Sequence, residues 1–570
     1  MTIRPRLAHL ALLLALACLF LFVGLGDLGL TDRDEGSNAE AAREMVETGN
    51  WISPTLNYEP RFAKPALVYW LMSGAYRTFG VGEFGARFPS AVFGVALVLL
   101  HYWFLTRLRG AQAGLLGALM LLLNVEMVAI GRLALTDSVL IFFTTLALYG
   151  FWLGIFGEGR ERHAIWLLYV GAALATLTKG PVGVLVPLLA IAPYLTITRR
   201  WGQFWQRGQP IAGLVVFLLL AVPWYAAMLA IHGSQYTASA QANTIGRFLT
   251  AIGGHGGTVL FYIPILFFGF FPWSGFLPAA LFAAWRDWRA APLAPRLPSS
   301  PELDLFAALW LIAVFLFFSL SATRLPHYIG PLLPAAAILS ASYWQRCLTD
   351  AATPGLRASL RLLMGLGYVL GFLLAASPIL YARFLDQIAR EFPMATQTDL
   401  GLGPPVAGVI LLIGVGLVWH FGRSEERRAG AFLAAGASIA GLMLVAIVIV
   451  LPRFSHYFIK PPQELAYAAG FNLGPQDRLI AYGTPKPSLV FYAKRKVIMI
   501  KPGEEERMRA HLGQPGRTMI LLPARLRPQV PADAATYPVI LQRFGYVLLA
   551  SEPIFNLPAG TAAPAAAAPH

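Results

Sequence analysis

Three carboxylates follow the first long apolar run of the sequence. In TDRDEGSNAEAAREM, residues 31–45, Asp32, Asp34 and Glu35 stand directly after about twenty apolar residues. A carboxylate at a reaction centre can accept a proton as a general base. Acids are also common in the first turn of a helix, and that alternative accounts for one or two of these three. Three acids together beside an apolar segment therefore favour a functional site.

A lysine further along the chain suits a phosphate ligand. NYEPRFAKPALVYWL, residues 57–71, places Lys64-Pro65 before an amphipathic helix that carries Tyr69 and Trp70. A lysine and aromatic residues at a membrane surface are also the ordinary pattern of snorkelling and of an aromatic belt. In the functional interpretation, Lys64 lies at headgroup level beside an apolar groove and binds a polyprenyl phosphate.

A fourth acid stands at the start of another apolar run. GRLALTDSVL, residues 131–140, contains Asp137. An ionisable residue at the edge of a membrane span is costly unless it is paired or functional. The alternative is helix capping, because Thr136-Asp137-Ser138 would start a helix well. The sequence leaves both interpretations open.

Single cations occur on the same predicted face of the membrane as these acids. Lys179, Arg247 and Arg324 each stand beside an apolar run, and each by itself is ordinary snorkelling. Together with Lys64 and two acids, they predict a site for an anionic substrate. His327, close to Arg324, would contact a headgroup.

Two further residues on this face could bind a metal. Glu83 and His255 are chemically suited to Zn or Mg, but a protein zinc site normally has at least three protein ligands. A lone loop histidine is usually only solvated. A divalent metal therefore stays an open option.

The composition is that of a polytopic helical membrane protein. The 570 residues are 57% hydrophobic and 13% charged, whereas soluble domains carry roughly 25% charged residues. The two cysteines, Cys18 and Cys347, indicate no disulfide framework. Apolar stretches long enough to cross a bilayer predict about thirteen spans: 7–27, 88–106, 112–130, 138–156, 164–177, 181–197, 211–230, 261–284, 304–321, 327–343, 362–381, 404–421 and 431–451.

The basic residues assign the two sides of the membrane. Lysine and arginine, which give the net charge of +15, cluster in every second loop, and such loops face the cytoplasm. This places the N-terminus in the cytoplasm and the first loop, residues 28–87, in the periplasm of a Gram-negative cell. The same pattern explains the positive charge without a nucleic-acid partner.

A glycine-rich segment ends the first span. GLGDLG, residues 24–29, fits G-x-G-x-x-G, which binds dinucleotides where it joins a strand to a helix. Here it follows a membrane helix, so the sequence favours helix packing and a helix end.

The C-terminal part changes from apolar helices to short strands. RLIAYG, SLVFYA, KVIMI, RTMILL and YVLLAS alternate with polar or Pro/Gly-rich breaks. They predict a small periplasmic α/β domain in residues 452–570, after a transmembrane domain in residues 1–451. The tail TAAPAAAAPH is of low complexity and is predicted to be disordered.

In their order and sidedness, these segments resemble the GT-C membrane glycosyltransferases. The matching residues are the D-E pair after the first span, Lys64-Pro65, L-T-D-S before the fourth span, the T-K-G-P hairpin, P-W-S-G-F-L-P at 272–278 and R-L-P-H-Y-I-G-P-L-L-P at 324–334. The chain looks like the branch of the 4-amino-4-deoxy-L-arabinose lipid A transferases, relatives of the protein O-mannosyltransferases. The resemblance covers the whole chain and implies about thirteen helices and a periplasmic C-terminal domain.

The resemblance implies roles for single residues. Asp34 would be the catalytic carboxylate of the first loop, and Asp137 the second catalytic acid. The residues implied to bind substrate are Glu35, Lys64, Arg247, Arg324 and Tyr328, and His255 falls at a histidine of the family pattern. One departure is Ala63, where the family often has glutamate. A carboxylate contact to the donor amine or to a metal would be lost there or moved to Glu83.

The resemblance also implies a reaction. The donor would be undecaprenyl phosphate carrying 4-amino-4-deoxy-L-arabinose, and the acceptor a phosphate of lipid A, at the periplasmic face of the inner membrane. This modification of lipopolysaccharide would give resistance to polymyxin and related cationic peptides. Asp34 would act as a general base toward a hydroxyl acceptor, or would position an acceptor phosphate or the sugar amine.

Two other functions remain. Another polyprenyl-phosphate-sugar transferase, with a protein or glycan acceptor, would use the same acids. A lipid or ion transporter is disfavoured, because transporters place ionisable residues near the membrane midplane, whereas here they cluster at one surface.

Overall fold

Helices form most of the structure. The computed structural model describes residues 3–250, 257–290, 300–350, 352–391 and 393–552. An apolar segment in lipid becomes helical because the helix pairs every backbone N–H and C=O within the segment. The helices before the C-terminal part are α1 (Ile3–Phe22), α2 (Asp34–Thr48), α3 (Leu67–Phe79), α4 (Glu83–Arg109), α5 (Ala111–Leu122), α6 (Val125–Arg132), α7 (Asp137–Phe156), α8 (Ile165–Lys179), α9 (Val182–Ile197), α10 (Trp201–Arg207), α11 (Pro210–Gln241), α12 (Arg247–Leu249), α13 (Tyr262–Gly269), α14 (Leu277–Ala290), α15 (Ser300–Leu320), α16 (Leu333–Thr349), α17 (Leu356–Ala375), α18 (Ser377–Glu391), α19 (Gly403–Gly422), α20 (Arg428–Val445) and α21 (Leu451–Phe454).

Many of these helices suit a membrane. In the described part of the chain, seven continuous helical stretches are long and apolar enough to cross a bilayer, and two bent pairs raise this number to nine. The prediction of a polytopic helical membrane protein is confirmed. The predicted number of about thirteen spans stays a prediction.

Two of the predicted spans are bent in the structure. The stretch 112–130 consists of α5 and α6, which meet at 65°, and Asn124 caps α6 by accepting a hydrogen bond from the Met127 N–H at 2.9 Å. The stretch 261–284 contains α13 and α14, which are inclined at 112°. The prediction of one continuous span there is wrong, because Pro272 lacks the N–H that an uninterrupted helix requires.

The first loop folds back over the membrane helices. It contains α2, a short hairpin of β1 (Thr55–Leu56) and β2 (Glu59–Pro60), and α3. Helix α2 begins at Asp34, and residues 35–45 of α2 are buried. A helix rich in acids is buried here because it lies between membrane helices on one side and the C-terminal part on the other.

The C-terminal part is a five-stranded sheet with flanking helices. Its elements are α22 (Lys460–Asn472), β3 (Arg478–Tyr482), α23 (Ser488–Ala493), β4 (Val497–Ile500), α24 (Glu505–Leu512), β5 (Thr518–Pro523), α25 (Ala532–Ala535), β6 (Val539–Arg543) and β7 (Tyr546–Ala550). The strand order is β4-β3-β5-β7-β6. Strand β3 is parallel to both neighbours, and β7 is antiparallel to β5 and to β6. The predicted α/β character is confirmed.

One strand prediction is wrong. SLVFYA forms the helix α23, not a strand. Because β3 and β4 are parallel, the chain must cross over between them, and a helix is the usual connection. The strand β6 was not predicted from the sequence.

Candidate active site

A buried ion pair lies where the start of α7 meets the end of α8. Asp137 is the first residue of α7, and Lys179 is the last residue of α8. Gly180, at φ 75°, ends α8 directly after the lysine. The Lys179 Nζ lies 2.6 Å from the Asp137 Oδ1, and the Asp137 side chain is only 2% exposed. The two helix ends therefore bring an acid and a cation together in the protein interior.

A histidine and a tyrosine complete the surroundings of this pair. The His327 Nε2 lies 3.8 Å from the Asp137 Oδ2, and the Lys179 Nζ stands 4.5 Å from the centre of the Tyr328 ring. His327 and Tyr328 belong to the turn Pro326–Leu332, which leads into α16. Three segments, namely α7, α8 and this turn, thus meet at the ion pair of Asp137 and Lys179.

Asp34 and Lys64 lie within electrostatic reach of the same group. The charges that act on His327 belong to Asp137, Lys179, Asp34 and Lys64, and Lys64 also acts on Asp137. We call Asp34, Lys64, Asp137, Lys179 and His327 the polar cluster. Burial lowers the pKa of His327 below its ordinary value, against the opposing pull of the Asp137 carboxylate. The imidazole is therefore neutral at pH 7, and the cluster holds two acids, two ammonium groups and a neutral histidine.

A buried ion pair positions the start of α2. The fully buried Glu35 carboxylate accepts hydrogen bonds from the Arg87 Nε at 2.8 Å and from the Arg87 Nη2 at 3.0 Å. The same guanidinium donates to the carbonyl oxygens of Leu25, Leu28 and Gly29. Burial alone would raise the pKa of Glu35, but the Arg87 charge and the hydrogen bonds from Arg87, Ala134 and Thr31 together outweigh burial, and the pKa lies below its ordinary value. Arg87 therefore joins α4 to the loop that carries Asp34.

Helix α2 also binds the segment before Asp137. The Ala134 N–H donates to the Glu35 Oε1 at 2.8 Å, and the Asn38 Nδ2 donates to the Ala134 oxygen at 3.1 Å. Both polar groups of residue 134 are thus held by α2. Since Asp34 begins α2 and Asp137 follows three residues after Ala134, the two acids are tied to a common support.

The residue before Asp34 has an uncommon backbone conformation. Arg33 has φ 71° and ψ −91°, and it precedes α2 without a side-chain hydrogen bond that caps the helix. A positive φ in a residue with a Cβ is rarely adopted and is costly. Asp34 therefore enters the site from a strained residue, and its neighbours must hold it there.

Aromatic side chains surround the segment of Lys64. Ala66 is packed in a cluster with Trp224 and Tyr236 of α11, and Phe62 packs against the same cluster. The Trp224 Nε1 donates to the Ile52 oxygen at 2.9 Å, which fixes α11 against the first loop. This apolar wall beside a lysine has the composition that the sequence predicts for a lipid-phosphate groove.

Arg324 and Tyr328 are both largely buried. Arg324 donates to the carbonyl oxygens of Gly257 and Ser319, and Tyr328 lies against Lys179 as described. Tyr328 therefore lies beside the polar cluster. Arg324 holds the segments around residues 257 and 319, and its predicted role in substrate binding stays a prediction.

Two predicted site residues have partners within the protein. Glu35 is 1% exposed, and its carboxylate accepts hydrogen bonds from Thr31, Arg87 and Ala134, so it holds the loop; its predicted role in substrate binding stays a prediction. The Glu83 carboxylate accepts a hydrogen bond from the Tyr492 hydroxyl at 2.8 Å. Glu83 thus faces the C-terminal part, and the suggestion that it replaces a glutamate at Ala63 has no support in the contacts of Glu83.

Two further predictions fall outside the described structure. His255 lies in the segment 251–256, which the structure does not describe, and for Arg247 only the backbone, in α12, is described. Within the described residues, no group of three or more His, Cys, Asp and Glu side chains is placed to hold a metal ion. The described residues therefore do not assemble a metal site around Glu83.

Some functional residues were missed from the sequence. Arg87 stands one residue before a predicted span and was not singled out from the sequence, although it is only 1% exposed in the structure. Glu126 lies inside the predicted span 112–130, where any acid is a candidate functional group, and it is within electrostatic reach of Asp137. The acid within an apolar run was the signal that could have revealed Glu126.

Comparisons with known proteins agree with this arrangement. The family model described as dolichyl-phosphate-mannose-protein mannosyltransferase matches residues 32–237. The undecaprenyl phosphate-alpha-4-amino-4-deoxy-L-arabinose arabinosyl transferase of Edwardsiella ictaluri is 31% identical over 371 residues, which are 64% of this chain and 65% of that protein. The protein of the same name from Pseudomonas paraeruginosa is 32% identical over 387 residues, 67% of each chain. The aligned part thus spans just under two thirds of the Edwardsiella protein.

A solved structure shares the fold. The crystal structure of ArnT from Cupriavidus metallidurans bound to undecaprenyl phosphate superposes with a TM-score of 0.77 at 24% identity, covering 97% of this chain and 99% of that chain. The helical membrane part, the acids at one end of its helices and the C-terminal sheet define a membrane glycosyltransferase of the GT-C class. The chain belongs to the family of the undecaprenyl phosphate-aminoarabinose arabinosyl transferases.

Proposed function

We propose that this protein transfers 4-amino-4-deoxy-L-arabinose from undecaprenyl phosphate to a phosphate of lipid A. The observation that carries the proposal is the polar cluster, in which two acids and two ammonium groups converge at one end of the membrane helices. The names of the relatives supply the donor and the sugar. The product would be lipopolysaccharide that resists polymyxin and other cationic peptides.

The ammonium groups of the cluster have different tasks. Lys179 is bound to Asp137 at 2.6 Å, so its charge is largely committed to that carboxylate. Lys64 approaches from the first loop beside the aromatic wall. Lys64 therefore binds the donor phosphate and stabilises the charge that develops on it as the sugar leaves. Arg247 supports the same phosphate in this proposal.

The transfer is a direct displacement that inverts the anomeric carbon. An oxygen of the acceptor phosphate forms a bond to the anomeric carbon. At the same time the bond between this carbon and the donor phosphate oxygen breaks, and undecaprenyl phosphate leaves. An acceptor phosphate is already ionised at neutral pH, so Asp34 positions the acceptor or binds the sugar ammonium instead of removing a proton. A glycosyl–enzyme adduct trapped on Asp34 or Asp137 would contradict a direct displacement.

The location follows from the distribution of charge. Basic loops alternate along the chain and face the cytoplasm, so the polar cluster and the C-terminal part lie in the periplasm at the inner membrane of a bacterium. In this proposal residues 1–451 form the transmembrane transferase domain and residues 452–570 the periplasmic domain. Donor and acceptor are both amphiphiles, which suits a site that opens toward the outer leaflet.

Mass spectrometry of lipid A tests the function. The chain is expressed in Gram-negative cells that lack their own transferase but make the donor, beside its Asp34→Asn variant and a Glu47→Gln control. Glu47 is on the same helix, but its side chain is 47% exposed and pairs with Arg43 one turn earlier in that helix. We expect an aminopentose increment with the parent and with Glu47→Gln, and none with Asp34→Asn at equal protein level.

Other outcomes change the proposal in defined ways. An increment with Asp34→Asn would keep the reaction and remove Asp34 from an essential role. No increment with a well-inserted parent would favour a transferase with another sugar or acceptor. Conversion of lipid-linked donor by purified protein in detergent, where no compartments exist, would exclude a transporter.

A further inference from the structure

The loop that leads into Asp34 is bound by the C-terminal end of the chain. Three hydrogen bonds join them: the Gly29 N–H donates to the Ser455 Oγ at 3.0 Å, the Leu30 N–H donates to the Tyr492 Oη at 3.0 Å, and the Gln463 Nε2 donates to the Leu30 oxygen at 2.6 Å. The side chains come from the end of the last membrane helix, from α22 and from α23. These contacts span more than 420 residues of sequence.

Asp32, two residues before Asp34, is bound by the same C-terminal part of the chain. The Ser488 N–H donates to the Asp32 Oδ1 at 3.1 Å, and the Lys486 Nζ lies 3.5 Å from the Asp32 Oδ2. Gly36 approaches the Ser488 backbone so closely that a Cβ at residue 36 would lie 2.9 Å from the Ser488 nitrogen. Both sides of Asp34 in the sequence are therefore in contact with the C-terminal part.

We infer that Ser455, Gln463, Lys486, Ser488 and Tyr492, here called the C-terminal clamp, are positioning residues for Asp34. The inference rests on the proposed function, because it assigns to the C-terminal part the task of fixing the acid of that reaction. Arg87 holds the loop from the membrane side through Leu28 and Gly29. The clamp binds residues 29–32 from the C-terminal part, so two separate groups of contacts fix the approach to Asp34.

Tyr492 is the central residue of the clamp. Its hydroxyl accepts the hydrogen bond of the Leu30 N–H and donates its own proton to Glu83. Removal of this oxygen leaves the Leu30 N–H and the Glu83 carboxylate without this partner, which destabilises the loop. Asp34 lies only four residues beyond Leu30, so such a change would reach it directly.

The chain offers a matched control for simple docking of the C-terminal part. Asn57, in the hairpin of the first loop, exchanges two hydrogen bonds with Val497 of β4, both at 2.9 Å. This contact also joins the first loop to the C-terminal part, but it lies outside residues 29–36. Loss of the Asn57 contact weakens docking and leaves the loop before Asp34 unchanged.

The test compares Tyr492→Phe, Ser455→Ala and Asn57→Ala in the full-length protein in detergent. Three quantities are measured: kcat and KM for transfer, the thermal midpoint, and hydrogen exchange in a peptide that covers residues 26–40. We expect Tyr492→Phe and Ser455→Ala to lower kcat about tenfold, a change that corresponds to about 1.4 kcal/mol, with KM for donor and acceptor within twofold. Exchange at residues 29–36 should rise in both variants.

Asn57→Ala should lower the thermal midpoint without either effect. If kcat instead follows the thermal midpoint across all three variants, the clamp only docks the C-terminal part and the inference is wrong. Unchanged hydrogen exchange and unchanged kcat in Tyr492→Phe would also overturn it. Hydrogen exchange needs no substrate, so a parent chain inactive on lipid A would count against the proposed function and leave the structural part of this test intact.

Discussion

The Lys179 ammonium lies 2.6 Å from the Asp137 carboxylate, and each residue stands at the end of its helix. The Lys179 side chain is 10% exposed and that of Asp137 is 2% exposed. Two charges so far from water are tolerated only because they neutralise each other. The contact therefore sets the charge state of the site and also stabilises the packing of α7 against α8.

Loss of one partner of this pair should be more harmful than loss of both. Lys179→Met leaves an unpaired buried carboxylate, and we expect it to lower the free energy of unfolding by about 3–5 kcal/mol. The double variant Asp137→Asn/Lys179→Met should regain much of that stability but no transferase activity. Thermal unfolding in detergent, followed beside the transfer assay, measures both. Equal stability of the single and double variants would show that the pair is not coupled.

The neutral state of His327 predicts a pH dependence. Burial lowers the pKa of His327, so the imidazole is neutral at pH 7 and gains its proton only as the pH falls below the ordinary histidine value of about 6.5. Protonated His327 would compete with Lys179 for Asp137, and we expect the rate to decline on the acid side. His327→Gln should flatten that decline while it keeps activity at pH 7. Initial rates between about pH 5 and 8, measured for both proteins with the same substrates, test this. Identical acid limbs in the two profiles would assign the decline to the substrates.

The role of Lys64 predicts an effect on the donor. Removing a charged hydrogen-bond donor costs about 1.5–3 kcal/mol, so Lys64→Gln should lower kcat/KM about 10- to 100-fold at limiting donor. Lys501→Gln, at an exposed position after β4, serves as the control for loss of one positive charge. Titration of undecaprenyl-phosphate-linked sugar against purified protein gives the values. An unchanged kcat/KM for Lys64→Gln would remove Lys64 from the phosphate site.

Arg87 should not be replaceable by lysine. Its guanidinium serves two Glu35 oxygens and three backbone carbonyls at once, and one ammonium cannot reproduce that geometry. We expect both Arg87→Lys and Arg87→Met to reduce activity at least tenfold, with the larger loss of stability in Arg87→Met, where the Glu35 charge is left unpaired. Full activity in Arg87→Lys would mean that only the charge at residue 87 matters.

The parts of the fold that depend on local pattern could be predicted from the sequence. Long apolar runs specify membrane helices because lipid leaves no alternative for the backbone. Alternation of short apolar runs with Pro/Gly breaks indicated the C-terminal sheet, and RLIAYG became β3. SLVFYA was read wrongly because a six-residue apolar run fits a strand or a helix equally well. Only the parallel pairing of β3 with β4, a tertiary fact, decides the choice.

The site residues likewise divide into those that local sequence pattern indicates and those that only the packing of distant segments reveals. The sequence singled out Asp34, Lys64, Asp137 and Lys179 because charges beside apolar runs are exceptional. It gave no partner for Lys179 and no role to Arg87, because an ion pair between distant segments depends on how helices pack. For Glu35, the adjacent acid suggested substrate contact, whereas burial beside Arg87 makes it part of the scaffold.

The strained conformation of Arg33 has a mechanical meaning. This residue lies between Asp32, which is tied to the C-terminal part, and Asp34, which starts a buried helix. A backbone held at φ 71° stores conformational energy that is released when either neighbour lets go. The position of Asp34 therefore depends on contacts on both sides of Arg33, those of Asp32 with the C-terminal part and those that bury α2.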